Sequence, residues 1–422
     1  MPAGPTSRPS VPSGTAESPG ALAVLVRIGR VGGPRLGLII LVVLHALLLA
    51  VALTVGRALP REPYGGNWEE LIYSGPGSQF ISFWQRWDAL WYQHIAEEGY
   101  RAGNGTSAFY PLFPLIVRGV SALTLGNTVL AGLVVSAVAF VAVAWLTWRL
   151  IALEAPQLGW PDSPALPAIG VLLLAAFPTG FFLLAPYTEG LFLALALATF
   201  YSARTGRPWA AGILGLFAAL SRPQGVFLAL PIAWEVLRQG DGIRWLLRRG
   251  GRRPAASLLA ALLPVAGLVG LTSYQRAILE ETRTGLEAQT IWGYQLVLPW
   301  DAVGASWSYV IDRAGTVGAD LVEALNLASL LGGVAIAIIA ARRLPLAYAL
   351  YALPSMLLLA VRQMSFSPLM SVTRYVLVVF PLFLVATGWL GQRPRLAVAV
   401  IVAGLLVEMV LFQYFVRWGF VG

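Results

Sequence analysis

Residues 36–55 read LGLIILVVLHALLLAVALTV, an apolar run without a charged side chain. Its length matches the roughly 20 residues that an α-helix needs to cross the hydrocarbon core of a bilayer. The runs Leu166–Leu184 and Leu396–Val416 have the same character. Because backbone groups in lipid must be paired within the protein, helices are the expected spanning elements. The sequence therefore predicts an all-α polytopic membrane protein.

The composition supports this prediction, since 58% of the 422 residues are hydrophobic and 12% are charged. Apolar runs on this scale exceed what one soluble core can hold. The net charge is +9, and all 29 basic residues are arginines, spread over short segments between apolar runs. That distribution is typical of a topology signal, so we expect membrane lipids and no nucleic acid as partners. With no cysteine and two histidines, we predict no disulfide, no metal site and no cofactor.

The apolar runs divide the chain into a tail and one membrane domain. Residues 1–35 are predicted to form a disordered cytoplasmic tail, because they begin with a Pro/Ser/Gly/Thr-rich stretch and end in arginines before the first span. Residues 36–422 are predicted to form a single bundle of about 10–12 transmembrane or interfacial helices. Two segments, 57–108 and 273–320, are expected to be non-cytoplasmic loops, the first of them with short amphipathic helices.

Charge and chain parity also suggest where a site lies. The densest arginine cluster, within residues 238–253, is expected in the cytoplasm. The break Ser221-Arg222-Pro223-Gln224 between two short apolar runs is a candidate wall of a cavity, where irregular backbone is tolerated at membrane depth. Counting spans places this break on the non-cytoplasmic face, together with residues 84–114. Residues 109–125 are marginal as a span, and their crossing is left open.

Residues 84–100 read WQRWDALWYQHIAEEGY and combine aromatic and charged side chains in one polar loop. Asp88 is the predicted general base, although a role as a helix cap or as an arginine partner is an alternative. Trp87, Trp91 and Tyr92 offer aromatic faces for binding a substrate. His94 is a candidate for substrate binding or proton transfer, and a structural hydrogen bond is an equally consistent alternative.

Three further residues are candidates for the same site. Glu189 lies at the turn Pro186-Tyr187-Thr188-Glu189-Gly190, where it either contacts substrate or stabilises the positive end of the following helix. Arg222 and Arg374 each lie at the boundary of an apolar run, where a guanidinium can hold a phosphate by two hydrogen bonds. The alternative for both is an arginine that extends to the membrane interface.

These blocks resemble the PIG-V-type mannosyltransferases and their bacterial relatives. The resemblance rests on Arg86-Trp87-Asp88 with its continuation to Tyr100, on Ala108-Phe-Tyr-Pro-Leu-Phe-Pro114, on Pro186–Phe192, on Leu220–Gly225 and on Thr373-Arg-Tyr. It implies a GT-C-type membrane enzyme that takes mannose from a polyprenyl-phosphate donor on the non-cytoplasmic side. It also implies that Asp88 is the catalytic carboxylate and that the blocks of Arg222 and Arg374 hold the donor phosphate.

The sequence thus predicts a multi-pass cell-membrane glycosyltransferase that transfers a hexose, by resemblance mannose, from a polyprenyl-phosphate donor to a lipid or glycan acceptor with inversion. The alternative is a transporter or flippase of a lipid-linked sugar that uses the same cavity without covalent chemistry. Such a protein is expected to contain paired halves with broken helices at matching places. Only one break, at Arg222, is apparent.

Overall fold

A computed structural model describes residues 19–58, 69–240, 256–277, 279–280, 283–284, 287–312 and 319–421. Nearly all regular structure in these residues is helical. The helices are α1 (Pro19–Gly29), α2 (Gly33–Ala58), α3 (Ser78–Ile81), α4 (Asp88–Glu98), α5 (Leu112–Ser121), α6 (Thr128–Glu154), α7 (Ala165–Ala175), α8 (Thr188–Arg204), α9 (Pro208–Ala219), α10 (Ala229–Gln239), α11 (Leu263–Ala277), α12 (Pro299–Asp312), α13 (Ala319–Arg343), α14 (Leu346–Ala360), α15 (Val372–Val376), α16 (Pro381–Leu390) and α17 (Pro394–Val416).

Among the described residues, five helical segments are long and apolar enough to cross a membrane. They are Gly33–Val55, Thr128–Glu154, Ala256–Ala277, Leu321–Arg343 and Pro394–Val416. Shorter apolar helices of 10–17 residues, among them α7, α9, α14 and α16, pack between them. The prediction of an all-α polytopic membrane protein is confirmed.

Two short strands pair beside this bundle. β1 (Tyr294–Leu296) lies antiparallel to β2 (Arg362–Met364), with Gln295 opposite Gln363. The pairing joins the predicted loop 273–320 to the segment that leads into α15. That loop therefore covers one side of the region where α15 begins.

The predicted span Leu166–Leu184 is shorter than expected. Helix α7 ends at Ala175, and a 3₁₀ turn over Gly180–Leu183 follows. Pro178 disfavours a helical conformation for the residue before it, which ends the α-helix there. The turn is fully buried in protein, where irregular backbone is tolerated, so its apolar composition resembles that of a lipid-facing helix.

The apolar segment 375–390 is also divided. Helix α15 ends at Val376, and α16 begins only at Pro381, which occupies its first turn. Proline is favoured in the first turn because its missing N–H has no intrahelical partner there. The short helix α15 is therefore separate from α16, and two of its residues line the cavity described below.

Helix α5 bears on the open question of residues 109–125. It contains ten residues, so it is roughly 15 Å long and too short to cross a bilayer alone. Leu125 and Gly126 adopt left-handed backbone conformations directly after it and reverse the chain into α6. These residues therefore form a short helix that packs against α4 and α6.

The N-terminal tail is more ordered than predicted in the part that the structure describes. Helix α1 and the start of α2 occupy residues 19–35, which were assigned to a disordered tail. At Gly29 a Cβ atom would lie 2.0 Å from the carbonyl oxygen of Pro164, so α1 contacts the start of α7 closely. Residues 1–18 lie outside the described residues, and so do the arginines of the basic cluster between residues 241 and 253.

Helix α8 lies at the centre of the bundle and is buried along most of its length between α6 and α9. Its first turn carries Thr188 and Glu189, and its last residue is Arg204. Each end of α8 therefore presents ionisable side chains inside the protein. The N-terminal end borders the candidate site.

Candidate active site

A cavity of about 500 Å³ opens where the predicted site segments meet. Residues from the start of α4, from 108–110, from the start of α8, from the break after α9 and from α15 line it. The β-ribbon and the C-terminal segment after α17 contribute the remaining walls. Segments that lie far apart in the sequence thus meet around one space.

The backbone at Trp87 is held in an unfavourable conformation. Its φ and ψ are 51° and −119°, a region that side-chain-bearing residues rarely adopt. The ring packs against Trp418 and Phe420, and its Nε1 donates to the carbonyl oxygen of Gly419 (3.3 Å). The turn sets Asp88 as the first residue of α4. Strain of this kind is retained where the surrounding structure fixes a functional geometry.

Tyr187 and the C-terminal segment fix the conformation of this turn. The hydroxyl of Tyr187 donates to the carbonyl oxygen of Arg86 (2.7 Å). The guanidinium of Arg86 lies over the ring of Trp418 at 4.4 Å and donates from Nε to the carbonyl oxygen of Val416 (3.0 Å). The C-terminal segment therefore locks the residue that precedes Trp87 and Asp88.

The start of α8 is shaped by a close approach of two backbone segments. Tyr187 is extended, with φ −131° and ψ 171°, and α8 begins at Thr188. At Gly190 a Cβ atom would lie 2.8 Å from the carbonyl oxygen of Leu183, so a larger residue would push the turn away. Glu189 is thereby placed in the first helical turn, 0% exposed.

The break after α9 follows from its sequence. Pro223 disfavours a helical conformation for Arg222, which is extended with φ −157° and ψ 153°. At Gly225 a Cβ atom would lie 2.4 Å from the backbone nitrogen of Ala219, so only glycine allows the chain to fold back this tightly. The predicted break is confirmed, and Arg222 lines the cavity.

Arg374 is positioned from helix α13. The backbone nitrogen and the hydroxyl of Thr373 both donate to Asn326 Oδ1 at 2.9 Å. Glu323 accepts hydrogen bonds from Ser306, Ser367 and the backbone nitrogen of Leu369 at the distances 2.6, 2.7 and 2.8 Å. These bonds fix the loop before α15 and with it the direction of Arg374.

The ionised side chains form one chain of contacts, which we call the site network: Asp88, Arg374, Glu189 and Arg222. Arg374 Nη1 donates to Asp88 Oδ2 (2.8 Å), and Arg374 Nε lies 3.3 Å from Glu189 Oε1. Arg222 Nη1 donates to Glu189 Oε1 (2.5 Å) and to Thr188 Oγ1 (2.9 Å). The Asp88 side chain stays 27% exposed, whereas the other three are nearly inaccessible. Asp88 is thus the member of the network that is open to the cavity.

The site network is incompletely paired. Glu189 Oε2, Arg222 Nε and Arg374 Nε are buried without a hydrogen-bond partner. Most buried polar groups in folded proteins are paired, so such atoms require an explanation. The formal charges of the two carboxylates and two guanidiniums cancel. Arg362 adds a further positive charge to the cavity wall.

Tyr375 lies among the three arginines. Guanidinium carbons of Arg222, Arg374 and Arg362 stand 4.8, 5.0 and 5.7 Å from its ring centre. Burial is the largest influence on its pKa and opposes ionisation, but the three positive charges together outweigh it and lower the pKa below the usual 10.0. By contrast, burial raises the pKa of Tyr92 above its usual range. The cavity wall around Tyr375 therefore favours negative charge.

The structure brings most of the predicted site residues to the cavity. Its lining includes Trp87, Asp88, Trp91, Tyr92, Arg222 and Arg374. Glu189 lies behind the two arginines that it pairs with. His94 is buried on α4, where Nδ1 lies 3.7 Å from Glu98 Oε1, and it is not part of the lining. A role of His94 in substrate binding therefore stays a prediction.

Other lining residues were missed by the sequence analysis. Tyr375 follows Arg374 directly, and its place in the Thr-Arg-Tyr block is the one local signal that could have indicated it. Gln289, Trp292 and Tyr294 come from the predicted loop 273–320, and Phe420 comes from the C-terminal segment. Only the tertiary structure brings these four to the cavity. Within the described ranges, no group of three or more His, Asp or Glu side chains is arranged to hold a metal ion.

Comparison with known families bears on this site. Residues 72–239 match the model of a family described as Mannosyltransferase (PIG-V). The resemblance to PIG-V-type mannosyltransferases is confirmed. The matched segment contains Asp88, Glu189 and Arg222, whereas Arg362 and Arg374 lie outside it. No curated protein matches the chain significantly.

The family match and the spanning helices together support a membrane mannosyltransferase, which is a glycosyltransferase in a multi-pass membrane protein. A sugar donor and surrounding membrane lipids follow as the general context of its reaction. The geometry offers a partly exposed carboxylate, Asp88, beside a wall of three arginines and several aromatic rings. Such a site can bind a sugar phosphate and accept a proton.

Proposed function

We propose that the protein transfers mannose from a polyprenyl-phosphate donor to a hydroxyl group of a lipid or glycan acceptor, on the non-cytoplasmic face of the cell membrane. Asp88 is the general base in this proposal. The observation that carries it is the meeting of Asp88 with Arg222, Arg362 and Arg374 around one 500 Å³ cavity. Such a transfer requires a group that accepts the proton of the acceptor hydroxyl and positive charge that stabilises the leaving phosphate.

The proposed reaction is a single displacement with inversion. The acceptor oxygen attacks the anomeric carbon and forms the new C–O bond, while the bond from that carbon to the phosphate oxygen breaks. The acceptor proton passes to Asp88, and polyprenyl phosphate leaves with the electron pair of the broken bond. Because the carboxylate is 27% exposed and lines the cavity, an acceptor can reach it.

The arginines act on the leaving group in this mechanism. Charge develops on the phosphate as the bond breaks, and preorganised guanidiniums stabilise it without reorganising at that moment. Arg374 contacts both Asp88 and Glu189, so it links the base to the phosphate side of the cavity. Arg222 Nε is buried without a hydrogen-bond partner and is a donor that a phosphate can engage, whereas Arg374 Nε lies 3.3 Å from Glu189 Oε1.

A reconstitution assay tests the proposal. Purified protein in liposomes is given polyprenyl-phosphate mannose labelled in the sugar, together with a panel of lipid and glycan acceptors. We expect label in an acceptor whose new linkage has the opposite anomeric configuration to the donor. Movement of labelled donor across the bilayer without transfer would contradict the proposal and indicate a flippase. Retention of configuration would contradict the single displacement while leaving a transferase.

A further inference from the structure

One wall of the cavity carries three uncharged polar side chains that have buried atoms without hydrogen-bond partners. These atoms are Tyr110 Oη, Ser221 Oγ and Gln224 Oε1. The residues are 5%, 1% and 1% exposed, and all three line the cavity. A buried polar atom without a partner destabilises the protein, so its presence in a lining side chain calls for a ligand that supplies the partner.

The local fold brings the two segments that carry these side chains to the same cavity. The backbone nitrogen of Leu112 donates to the carbonyl oxygen of Leu220 (3.0 Å), which ties the segment after Tyr110 to the break after α9. Ser221 and Gln224 flank Arg222 and Pro223 within that break. Gly225 folds the break tightly onto the end of α9, and this close approach of the backbone helps to fix the positions of Ser221 and Gln224.

An aromatic wall borders the same segment. Trp91 stacks on Phe109, the residue before Tyr110, with ring centres 5.3 Å apart and planes 13° apart. Trp292 meets Trp91 edge to face at 5.1 Å. Aromatic faces beside a few placed hydroxyl and amide groups are typical of a site for a ligand that has both C–H faces and polar edges.

We propose that Tyr110, Ser221 and Gln224 form a subsite that binds hydroxyl groups of a hexose ring. This inference rests on the proposed function and specifies which residues recognise the sugar. Hydroxyl and amide groups both donate and accept hydrogen bonds, as sugar hydroxyls do. The neighbouring arginines, by contrast, only donate and carry charge, so they suit the phosphate. The cavity thereby separates a charged side for phosphate from an uncharged side for the sugar.

The test uses the full-length protein and sugars that lack one hydroxyl each. Tyr110→Phe and Ser221→Ala remove a single oxygen from the subsite. We expect each variant to lower kcat/KM for the complete substrate about tenfold, the usual effect of one hydrogen bond of roughly 1.4 kcal/mol. A series of monodeoxy donors and a series of monodeoxy acceptors then locate the missing partner. For one of these analogues, Tyr110→Phe should be no slower than the unaltered protein.

Tyr351→Phe is the matched control. Its hydroxyl is also buried but donates to the carbonyl oxygen of Val378 (3.0 Å), outside the cavity. We expect Tyr351→Phe to lower the Tm and to keep the kcat/KM and the full discrimination against every deoxy analogue. Tyr110→Phe should keep or raise the Tm without substrate, because it removes an unpaired group.

The outcomes separate this inference from the proposed function. Transfer that continues with unchanged kcat/KM and unchanged deoxy discrimination in Tyr110→Phe and Ser221→Ala overturns the subsite alone. A loss of Tm in Tyr110→Phe as large as in Tyr351→Phe also overturns it, since the hydroxyl would then have a structural partner. Absence of transfer and of donor binding in the unaltered protein overturns both. Sensitivity to a deoxy donor assigns the subsite to the transferred sugar, and sensitivity to a deoxy acceptor assigns it to the acceptor.

Discussion

Two networks of buried charges lie at the two ends of helix α8 and differ in how completely they are paired. The site network lies at its N-terminal end. At its C-terminal end, Arg204 joins Glu154 of α6 and Glu235 of α10. We call this group, with Arg238 and Tyr348, the distal network. Both networks contain two carboxylates and two arginines.

In the distal network every carboxylate oxygen has a partner. Glu154 accepts from Arg204 Nε (2.6 Å), Arg204 Nη2 (2.9 Å) and the Tyr348 hydroxyl (2.8 Å). Glu235 accepts from Arg204 on one oxygen and from Arg238 and Gln239 on the other. The site network instead leaves Glu189 Oε2 and the Nε atoms of Arg222 and Arg374 without hydrogen-bond partners.

The difference in hydrogen bonding indicates that the two networks have different roles. A buried ion pair is tolerated when its hydrogen bonds are complete, and it then fixes how the helices meet. Incomplete pairing costs stability, and it persists where a ligand completes it. The strained backbone at Trp87 lies beside the incompletely paired network. The distal network thus stabilises the bundle, whereas we infer that the site network is prepared for substrate.

The largest expected effect comes from exchanging a carboxylate for an amide in each network. Asp88→Asn should lower kcat for transfer about 10³-fold, because the amide cannot accept the proton of the acceptor hydroxyl. Glu154→Gln should lower the free energy of unfolding by about 3 kcal/mol, because it leaves buried guanidinium charge incompletely compensated. Single-turnover transfer and thermal unfolding in the same detergent measure the two effects.

If the two networks differ in role, Asp88→Asn should change turnover but not stability, and Glu154→Gln should change stability but not turnover. Asp88→Asn should keep a Tm near that of the unaltered protein, since its side chain is partly exposed. Glu154→Gln should keep its turnover per folded molecule. Full activity in Asp88→Asn would rule out Asp88 as the base, and a large fall in its Tm would make the site network a structural device like the distal one.

A smaller effect is expected from exchanging arginine for lysine. Arg222→Lys keeps the charge but loses the planar fork of donors, so kcat should fall about 10²-fold through weaker stabilisation of the leaving phosphate. Arg204→Lys should lower the Tm with little change in kcat, because Arg204 uses its fork to join Glu154 and Glu235. Steady-state kinetics and unfolding of both variants measure this. Equal losses of Tm in the two would contradict the distinction.

Much of the fold could be predicted from hydropathy, but not where apolar segments are buried in protein. The predicted run 36–55 falls within α2 (Gly33–Ala58), and the predicted run Leu396–Val416 falls within α17 (Pro394–Val416). The predicted span Leu166–Leu184 was wrong beyond Ala175, because the turn after α7 lies in a core as apolar as lipid. Hydropathy measures how apolar a segment is, so it does not distinguish a segment buried in a protein core from one that faces lipid.

The site could be predicted where chemistry-bearing residues interrupt apolar runs. Asp88 and Arg222 fall into this class, and both line the cavity. The pairing of Arg374 with Asp88 joins residues 286 positions apart, so no local pattern contains it. The alternative that Asp88 pairs with an arginine was raised from the sequence, and the structure shows that pairing; it leaves the role as a base open to the test above. Tyr375 was missed because its surroundings come from three separate segments.

The smallest expected effect concerns Tyr375, which lies beside the site network, in comparison with Tyr348 of the distal network. Tyr348 donates its hydroxyl proton to a carboxylate, whereas the Tyr375 hydroxyl accepts a hydrogen bond from Arg374 Nη2 (3.1 Å). Since the arginines lower the pKa of Tyr375 below 10.0, the folded protein binds fewer protons than the unfolded chain between that lowered pKa and pH 10.0. Stability should therefore rise with pH in this window, and Tyr375→Phe should abolish that rise.

The ultraviolet absorbance of tyrosinate measures the same group directly. The difference between the unaltered protein and Tyr375→Phe should show one tyrosine that ionises below pH 10.0. A phosphate-bearing donor analogue should move this ionisation to higher pH, because its negative charge offsets the guanidiniums around the ring. Ionisation of Tyr375 at or above pH 10.0 would contradict the lowered pKa. A titration that the analogue leaves unchanged would show that phosphate binds away from these arginines, and the site network would then need another ligand to complete it.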